Sequence, residues 1–229
     1  MYKRKIQKRR MMSYFIEAAN QIIEEEGMEG VTVRKVADLA GYNSATLYNY
    51  FENLDHLIFF ASMKYLKEYA ISLPQHVKNT NNSLDKYFAI WECFCYHSYN
   101  RPKVYQAIFF NEFSSLFKNA IKEYYCIFPN EIGEQSEELL PMLLSQNIVD
   151  RNLSILKTCA SEGLIPPHHL EDINEMTLLV YEGMFLKVAN GEVDYSVEEA
   201  VERTLKFIKQ IIYSYCESAC SNTSGKLFA

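Results

Sequence analysis

The chain has 229 residues, 48% of them hydrophobic and 14% aromatic, and a formal net charge of −6. This composition excludes a disordered or collagen-like chain and supplies a substantial core, enough for one large domain or a small domain joined to a larger one. No apolar run approaches the roughly 18 residues of a membrane span, and Glu17 and Asn20 interrupt the stretch where a secretory signal needs an apolar run. A cytoplasmic protein with six reduced cysteines is expected.

The charge is unevenly placed. Lys3, Arg4, Lys5, Lys8, Arg9 and Arg10 all precede the first acid, Glu17. Residues 1–60 hold eight basic and eight acidic residues and are neutral, so the remaining 15 basic and 21 acidic residues carry the whole −6. A basic tip on an acidic body suits local phosphate binding, and a solvated tail reads equally well from the charges alone.

In chain order, Met12, Phe15, Ile16, Ala19, Ile22 and Ile23 recur at three- and four-residue steps, the apolar face of a helix ended by Gly27 and Gly30. Thr32 caps a second helix over 33–40, closed by Gly41, and Asn43 caps a short third helix over 44–51. A longer helix from Asp55 to Leu73, apolar almost all round, connects two domains and stops at Pro74. Helices are then expected near 84–100, 102–110, 112–127, 134–144, 147–162, 169–190 and 196–219, punctuated by Pro102, Pro129, Gly163 to Pro167 and Asn190-Gly191. No alternating strand pattern or internal repeat is present, so the class is all-α: an N-terminal three-helix domain over 1–53 and a larger helical domain over 54–229.

The most specific signal is the run 32–51. A helix-turn-helix crosses two helices steeply through a very short turn. It needs a small residue at the crossing (Ala37), a residue tolerant of positive φ (Gly41), and apolar positions facing a shared core (Val36, Ala40, Leu47, Tyr50). An ordinary helical hairpin with a glycine turn meets fewer of these requirements. The run Gly41-Tyr42-Asn43-Ser44-Ala45-Thr46-Leu47-Tyr48-Asn49-Tyr50-Phe51, with Val31 to Ala37 before it and Asp55-His56-Leu57 after it, resembles the DNA-binding domain of the tetracycline-repressor (TetR) family. The resemblance covers about residues 10–60 closely, and the rest only in length and helical character.

That resemblance implies a homodimer that binds a palindromic double-stranded operator and releases it when a small molecule enters the C-terminal domain. It places Thr32, Asn43, Ser44, Thr46, Tyr48 and Asn49 at DNA and Leu47 and Phe51 in the core. The chemistry agrees: Asn49 can pair with an adenine edge, hydroxyls can take phosphate or base contacts, and the Tyr48 phenol can reach a phosphate. Where many family members carry a phosphate-binding lysine, Leu54 stands here, and the N-terminal basic cluster, with Lys5, Lys8 and Arg9 as phosphate contacts, is expected to compensate, tracking the backbone or entering a flanking minor groove.

The larger domain is rich in aromatics between residues 87 and 128. Most belong to ordinary core, and an aromatic-lined pocket for an apolar or planar ligand is expected from among Trp91, Tyr105, Phe109, Phe110, Phe113, Phe117 and Met184. The last two helices carry more apolar surface than one domain needs, which points to a two-protomer interface through Val180, Gly183, Val201, Leu205, Ile208 and Ile212. No metal or cofactor is expected: Cys93 and Cys95 lack the zinc-pair spacer, Cys216 and Cys220 lack a second ligand pair, and His168-His169 stand alone. No catalytic constellation is present. The reading is a non-enzymatic, ligand-responsive repressor; the alternative is a helical carrier or enzyme of hydrophobic ligands with an incidental helical hairpin.

Overall fold

The computed structural model describes residues 2–110, 119–145 and 147–224. Among these there are twelve α-helices and no strand. They are α1 Tyr2–Glu26, α2 Val33–Ala40, α3 Ser44–Leu47, α4 Leu54–Ser62, α5 Leu66–Val77 and α6 Ser83–Asn100, followed by α7 Pro102–Phe109, α8 Ala120–Ile127, α9 Leu140–Leu143, α10 Ile148–Ser161, α11 Leu170–Ala189 and α12 Val197–Ser224. The all-α class is the one the sequence specifies.

The chain forms two compact units. One comprises 1–71 and 103–134, the other 72–102 and 135–229. The first unit runs well past residue 53 because α4 packs on α1 and contributes Leu57, Phe60 and Ala61, all fully buried, to the same core. That core centres on Phe15 and Phe51, whose rings meet edge to face at 6.2 Å, with Phe60 5.8 Å from Phe51. Met12, Ile16, Ala19, Val36, Ala37 and Leu47 complete it. α8 joins by laying Tyr124, 1% exposed, near Phe60 at a ring distance of 6.4 Å.

In the second unit α6, α10, α11 and α12 pack on one another. Tyr181 of α11 sits among Trp91 (5.2 Å), Phe94 (5.3 Å), Phe185 (5.8 Å) and Tyr99 (5.9 Å, near parallel). Three hydrogen bonds tie polar groups in and around this cluster. Trp91 Nε1 donates to Asn152 Oδ1 at 3.1 Å, Asn152 Nδ2 donates to Thr177 Oγ1 at 2.9 Å, and the hydroxyls of Tyr99 and Thr204 are 2.8 Å apart. Burial pushes the Tyr87 phenol up to about 12 and the Cys93 thiol up to about 11, so neither ionises near neutrality.

Three expectations are corrected. The helix expected over 55–73 is two helices, α4 and α5, separated by a 3-10 turn at Met63–Tyr65. The turn changes the buried face from nearly the whole circumference at 59–63 to the single stripe Leu66, Tyr69, Ala70 and Leu73. Pro74 does not stop α5, which continues to Val77; near a helix end a proline forfeits only one backbone bond. Of the helix expected over 134–144 only Leu140–Leu143 forms, opening with Pro141 in its first turn.

Candidate DNA-binding face

The recognition segment is held from both ends. Thr32 is extended (φ −133°, ψ 150°), and its Oγ1 accepts from the Lys35 backbone N–H at 3.3 Å, which starts α2. At the other end Gly41 is left-handed (φ 78°, ψ 27°); its N–H donates to Asp38 O at 3.1 Å and the Tyr42 N–H to Ala37 O at 2.8 Å, a Schellman closure. A Cβ built on Gly41 would meet nothing within 4 Å, so glycine is required here by conformation and not by space. Asn43 then caps α3: its Oδ1 accepts from the Thr46 N–H at 2.8 Å and from the Thr46 hydroxyl at 3.0 Å.

The regular α-helix here is one turn, Ser44–Leu47, shorter than the expected 44–51. Residues 48–50 continue as turns, with Asn49 N–H donating to Thr46 O at 3.1 Å, and Phe51 N–H donates to Leu47 O at 3.1 Å. Leu47 and Phe51 lock this segment to the core, at 0% and 1% exposure, while Tyr48 stands 55% exposed and Asn49 is exposed beside it. Tyr50, expected in the core, is half-buried, its ring 6.1 Å from Phe15 and its edge on the surface.

Arg4, Lys5, Gln7 and Lys8 line a single cleft with Asn49 and Tyr50. The basic cluster is therefore no loose arm: α1 is helical from Tyr2. The reason lies in the phase of α1. Positions 5, 8/9, 12, 16, 19 and 23 share one helix face, so Lys5, Lys8 and Arg9 occupy the continuation of the apolar stripe. A hydrophobicity pattern sees that stripe end at Met12; the helix does not, because long cationic side chains cover the surface with their stems and hold the charge outward. Arg4, Lys5 and Arg9 make no ion pair among the described residues, whereas Lys8 Nζ lies 3.0 Å from Glu123 Oε1.

Farther along α1 acids take up cations of the same unit. Glu24 pairs with Lys64 at 2.7 Å, Glu26 with Lys35, and Glu29 just beyond with Lys103. Arg34, beside Thr32, is a cation the sequence reading passed over; its side chain is 90% exposed and reaches only a loose contact of 3.8 Å with Asp38. Leu54, where a phosphate-binding lysine was missed, is the first residue of α4 and is half-buried, with Asn53 Oδ1 capping the His56 N–H at 2.8 Å.

The other expected sites divide. Trp91 and Met184 belong to the second unit and Tyr105, Phe109 and Phe110 to the first, while Phe113 and Phe117 lie outside the described residues. Trp91, Tyr105 and Phe109 are buried, and Met184 Sδ accepts from the Tyr195 hydroxyl at 3.1 Å. On the expected interface, Val201, Ile208 and Ile212 are 6%, 0% and 0% exposed in the single protomer and are core residues of their own unit. Val180 and Leu205 are half-buried and Gly183 exposed. The apolar surface left open is Met176, Leu179 and Leu186 on α11 and Phe207 on α12, 42–60% exposed, which sequence periodicity could not separate from the inward stripe.

A capped helix, a left-handed glycine turn and a short second helix with a locked inner side and an open outer side define a helix-turn-helix, a DNA-binding module. Residues 15–59 match the family model of the bacterial regulatory proteins, tetR family, and the N-terminal domain belongs to that family. No curated protein matches as a relative. Solved structures share the fold over most of the chain. Thermus thermophilus FadR, a TetR-family transcriptional repressor in complex with lauroyl-CoA, is 13% identical with a TM-score of 0.58, covering 86% of this chain and 92% of its own. A protein of unknown function from Rhodococcus sp. RHA1 gives 15% and 0.56, covering 88% and 95%. The fatty acid degradation regulator FadR of Bacillus halodurans gives 13% and 0.51, covering 86% and 93%.

Proposed function

We propose that this tetR-family protein is a dimeric repressor that grips a palindromic operator and leaves it when a small apolar or aromatic molecule binds its helical body. The carrying observation is the pair Tyr48 and Asn49: they project from a segment pinned by Leu47 and Phe51, make no side-chain hydrogen bond among the described residues, and Asn49 shares its cleft with Arg4, Lys5 and Lys8. Asn49 and Ser44 are the base-reading residues, with Tyr48, Thr32 and Arg34 on phosphates. Asn43 and Thr46 act mainly through the cap they share, since the Thr46 hydroxyl proton is already given to Asn43.

Reading two half-sites needs two heads about 34 Å apart, hence two copies. Met176, Leu179, Gly183 and Leu186 fall at steps of three, four and three along α11, a seam of the kind that packs helix on helix. Nothing lies within 4 Å of a Cβ placed on Gly183, so a partner helix can approach there. This seam, with Phe207, replaces Val201, Ile208 and Ile212 as the interface. The effector class is supported by the dense aromatic cluster around Tyr181 and by the lauroyl-CoA held in the Thermus thermophilus structure of the same fold.

The test is selection of bound duplexes from a random DNA library, followed by gel shift. Asn49→Ala should weaken the selected site by about 5- to 150-fold for each half-site, the worth of one bidentate base contact, and relax one position in each. Leu179→Asp should give monomers by ultracentrifugation and lose the operator. Wild-type protein that retains no duplex at low salt overturns the proposal.

A further inference from the structure

The first two turns of α1 stand between two grooves of the same unit. On one side Lys5 and Lys8 meet Asn49 and Tyr50. On the other, Lys5, Lys8 and Arg9 face α8 across a groove completed by Asn119, Lys122, Glu123 and Cys126. That second groove holds four cations and one carboxylate, in a chain whose net charge is −6. Lys122 is exposed and makes no ion pair among the described residues. Glu123 spends its charge on Lys8 at 3.0 Å, both side chains remaining partly exposed at 36% and 49%. α8 itself is fixed by Tyr124, buried beside Phe60 and Phe128 and hydrogen-bonded to Glu131, so Lys122 and Glu123 are presented from a firm base.

Resting on the DNA-binding reading above, we propose that the groove between α1 and α8 is a second phosphate site, that it extends the DNA face beyond the helix-turn-helix through Lys122 and Arg9, and that Glu123 is its built-in competitor for Lys8. A half-exposed ion pair in high dielectric is weak, with a median worth near zero, and a duplex phosphate in a polyanion field displaces it readily. The protein thus keeps one of its cations neutralised when off DNA and recovers it when on. Any motion of α8 toward or away from α1 changes how many phosphates the head can hold.

The experiment uses the full chain and its selected duplex, with affinity measured across a salt series. Lys122→Gln should weaken binding and flatten the log–log salt slope by about 1.8, one phosphate contact in each protomer of the dimer. Glu123→Gln should tighten binding about two- to five-fold at low salt and steepen the slope by up to about 1.8, one recovered contact in each protomer. Lys8→Gln should abolish the effect of Glu123→Gln, so the double variant binds like Lys8→Gln alone. Glu17→Gln, nine residues on and therefore half a turn round α1 from Lys8, makes the same change of net charge and should leave the slope unchanged.

If Lys122→Gln and Glu123→Gln leave affinity and slope as in wild type while Asn49→Ala abolishes binding, the groove is no phosphate site and the DNA-binding reading survives without it. If wild type binds no duplex, pyrophosphate is titrated while the His56 imidazole, which feels the charges of Lys8 and Glu123, is followed by NMR. A shift lost in Lys122→Gln assigns the groove to a free phosphorylated ligand, and no shift overturns the proposal.

Discussion

Trp91 offers a direct check on how the second unit is held together. Its indole N–H is buried, 4% exposed as a residue, and gives its hydrogen bond to Asn152 Oδ1 at 3.1 Å. Asn152, 5% exposed, donates in turn to Thr177 Oγ1, which also gives its own proton to Ile173 O at 2.7 Å. Asn152→Leu keeps the branched shape but strands the indole donor away from water, at a cost of about 1–3 kcal/mol, while Thr177 keeps its bond to Ile173. Trp91→Phe strands the Asn152 oxygen instead and removes part of a well-packed ring, at about 2–3 kcal/mol. In the double variant neither group is stranded against the other, so the two losses should fall short of additivity by about 1–2 kcal/mol. The assay is urea denaturation followed by far-UV ellipticity, since most of the described residues are helical. Trp91 is the only tryptophan, so the emission maximum of Asn152→Leu also shows whether water reaches the indole. Losses that add to within about 0.5 kcal/mol would refute the idea that this hydrogen bond, and not simply the volume of the ring, organises the cluster around Tyr181.

Gly41→Ala should cost about 1 kcal/mol: the left-handed turn penalises a Cβ by about 1–2 kcal/mol, the unfolded chain loses some entropy in compensation, and no steric term is added. A melting scan should therefore drop by about 2–4 °C, with Gly41→Asn closer to wild type; a loss above about 3 kcal/mol would mean a clash that the geometry does not contain. His56 is held below its ordinary 6.5, first by withdrawal from water between Phe51 and Phe60 and slightly by Lys8, against the upward pull of Glu52 and Glu123. The folded head thus prefers the neutral ring, so stability is complete above pH 6.5, is lost as pH falls from there toward the lowered folded value, and is level below it. His56→Asn, which can keep the acceptor for the Glu52 N–H, should flatten that limb in denaturation curves taken across the range, and an unchanged limb would assign it elsewhere.

The head was legible because its requirements are local. Thr32 and Asn43 cap within three residues, Gly41 needs only its own φ, and the Ala37, Leu47 and Phe51 positions are fixed by helical period. Where α1 begins was hidden by chemistry, cations standing in the stripe positions. On α12, Val201, Ile208 and Ile212 form one stripe and Phe207 lies on another, and period alone cannot say which faces inward; only packing against α6 and α11 decides it. Tyr105 and Phe109 illustrate the same limit in the other direction. They read as one aromatic region with Trp91, yet the chain sends α7 into the first unit and α6 into the second, a matter of long-range topology that composition does not carry.

The placement of charge then explains how an acidic protein can hold DNA selectively. Much of the head's positive charge is consumed at home: Lys35, Lys64 and Lys103 are paired to Glu26, Glu24 and Glu29 along the C-terminal end of α1 and just past it. Cations without a close pair among the described residues gather at the other end, Lys3, Arg4, Lys5, Arg9 and Arg10, with Arg34 beside the α2 cap and Lys122 on α8. Nonspecific affinity depends almost wholly on how many phosphates these free cations neutralise, and each home pairing removes one of them. A body carrying the net negative charge lowers it further. Base contacts must then make up the difference, which a segment as short as Ser44–Phe51 can do only if it is rigid. Rigidity is what Leu47, Phe51, the Asn43 cap and the Gly41 closure supply. Loosening any of these should cost sequence discrimination before it costs the ability to bind DNA at low salt.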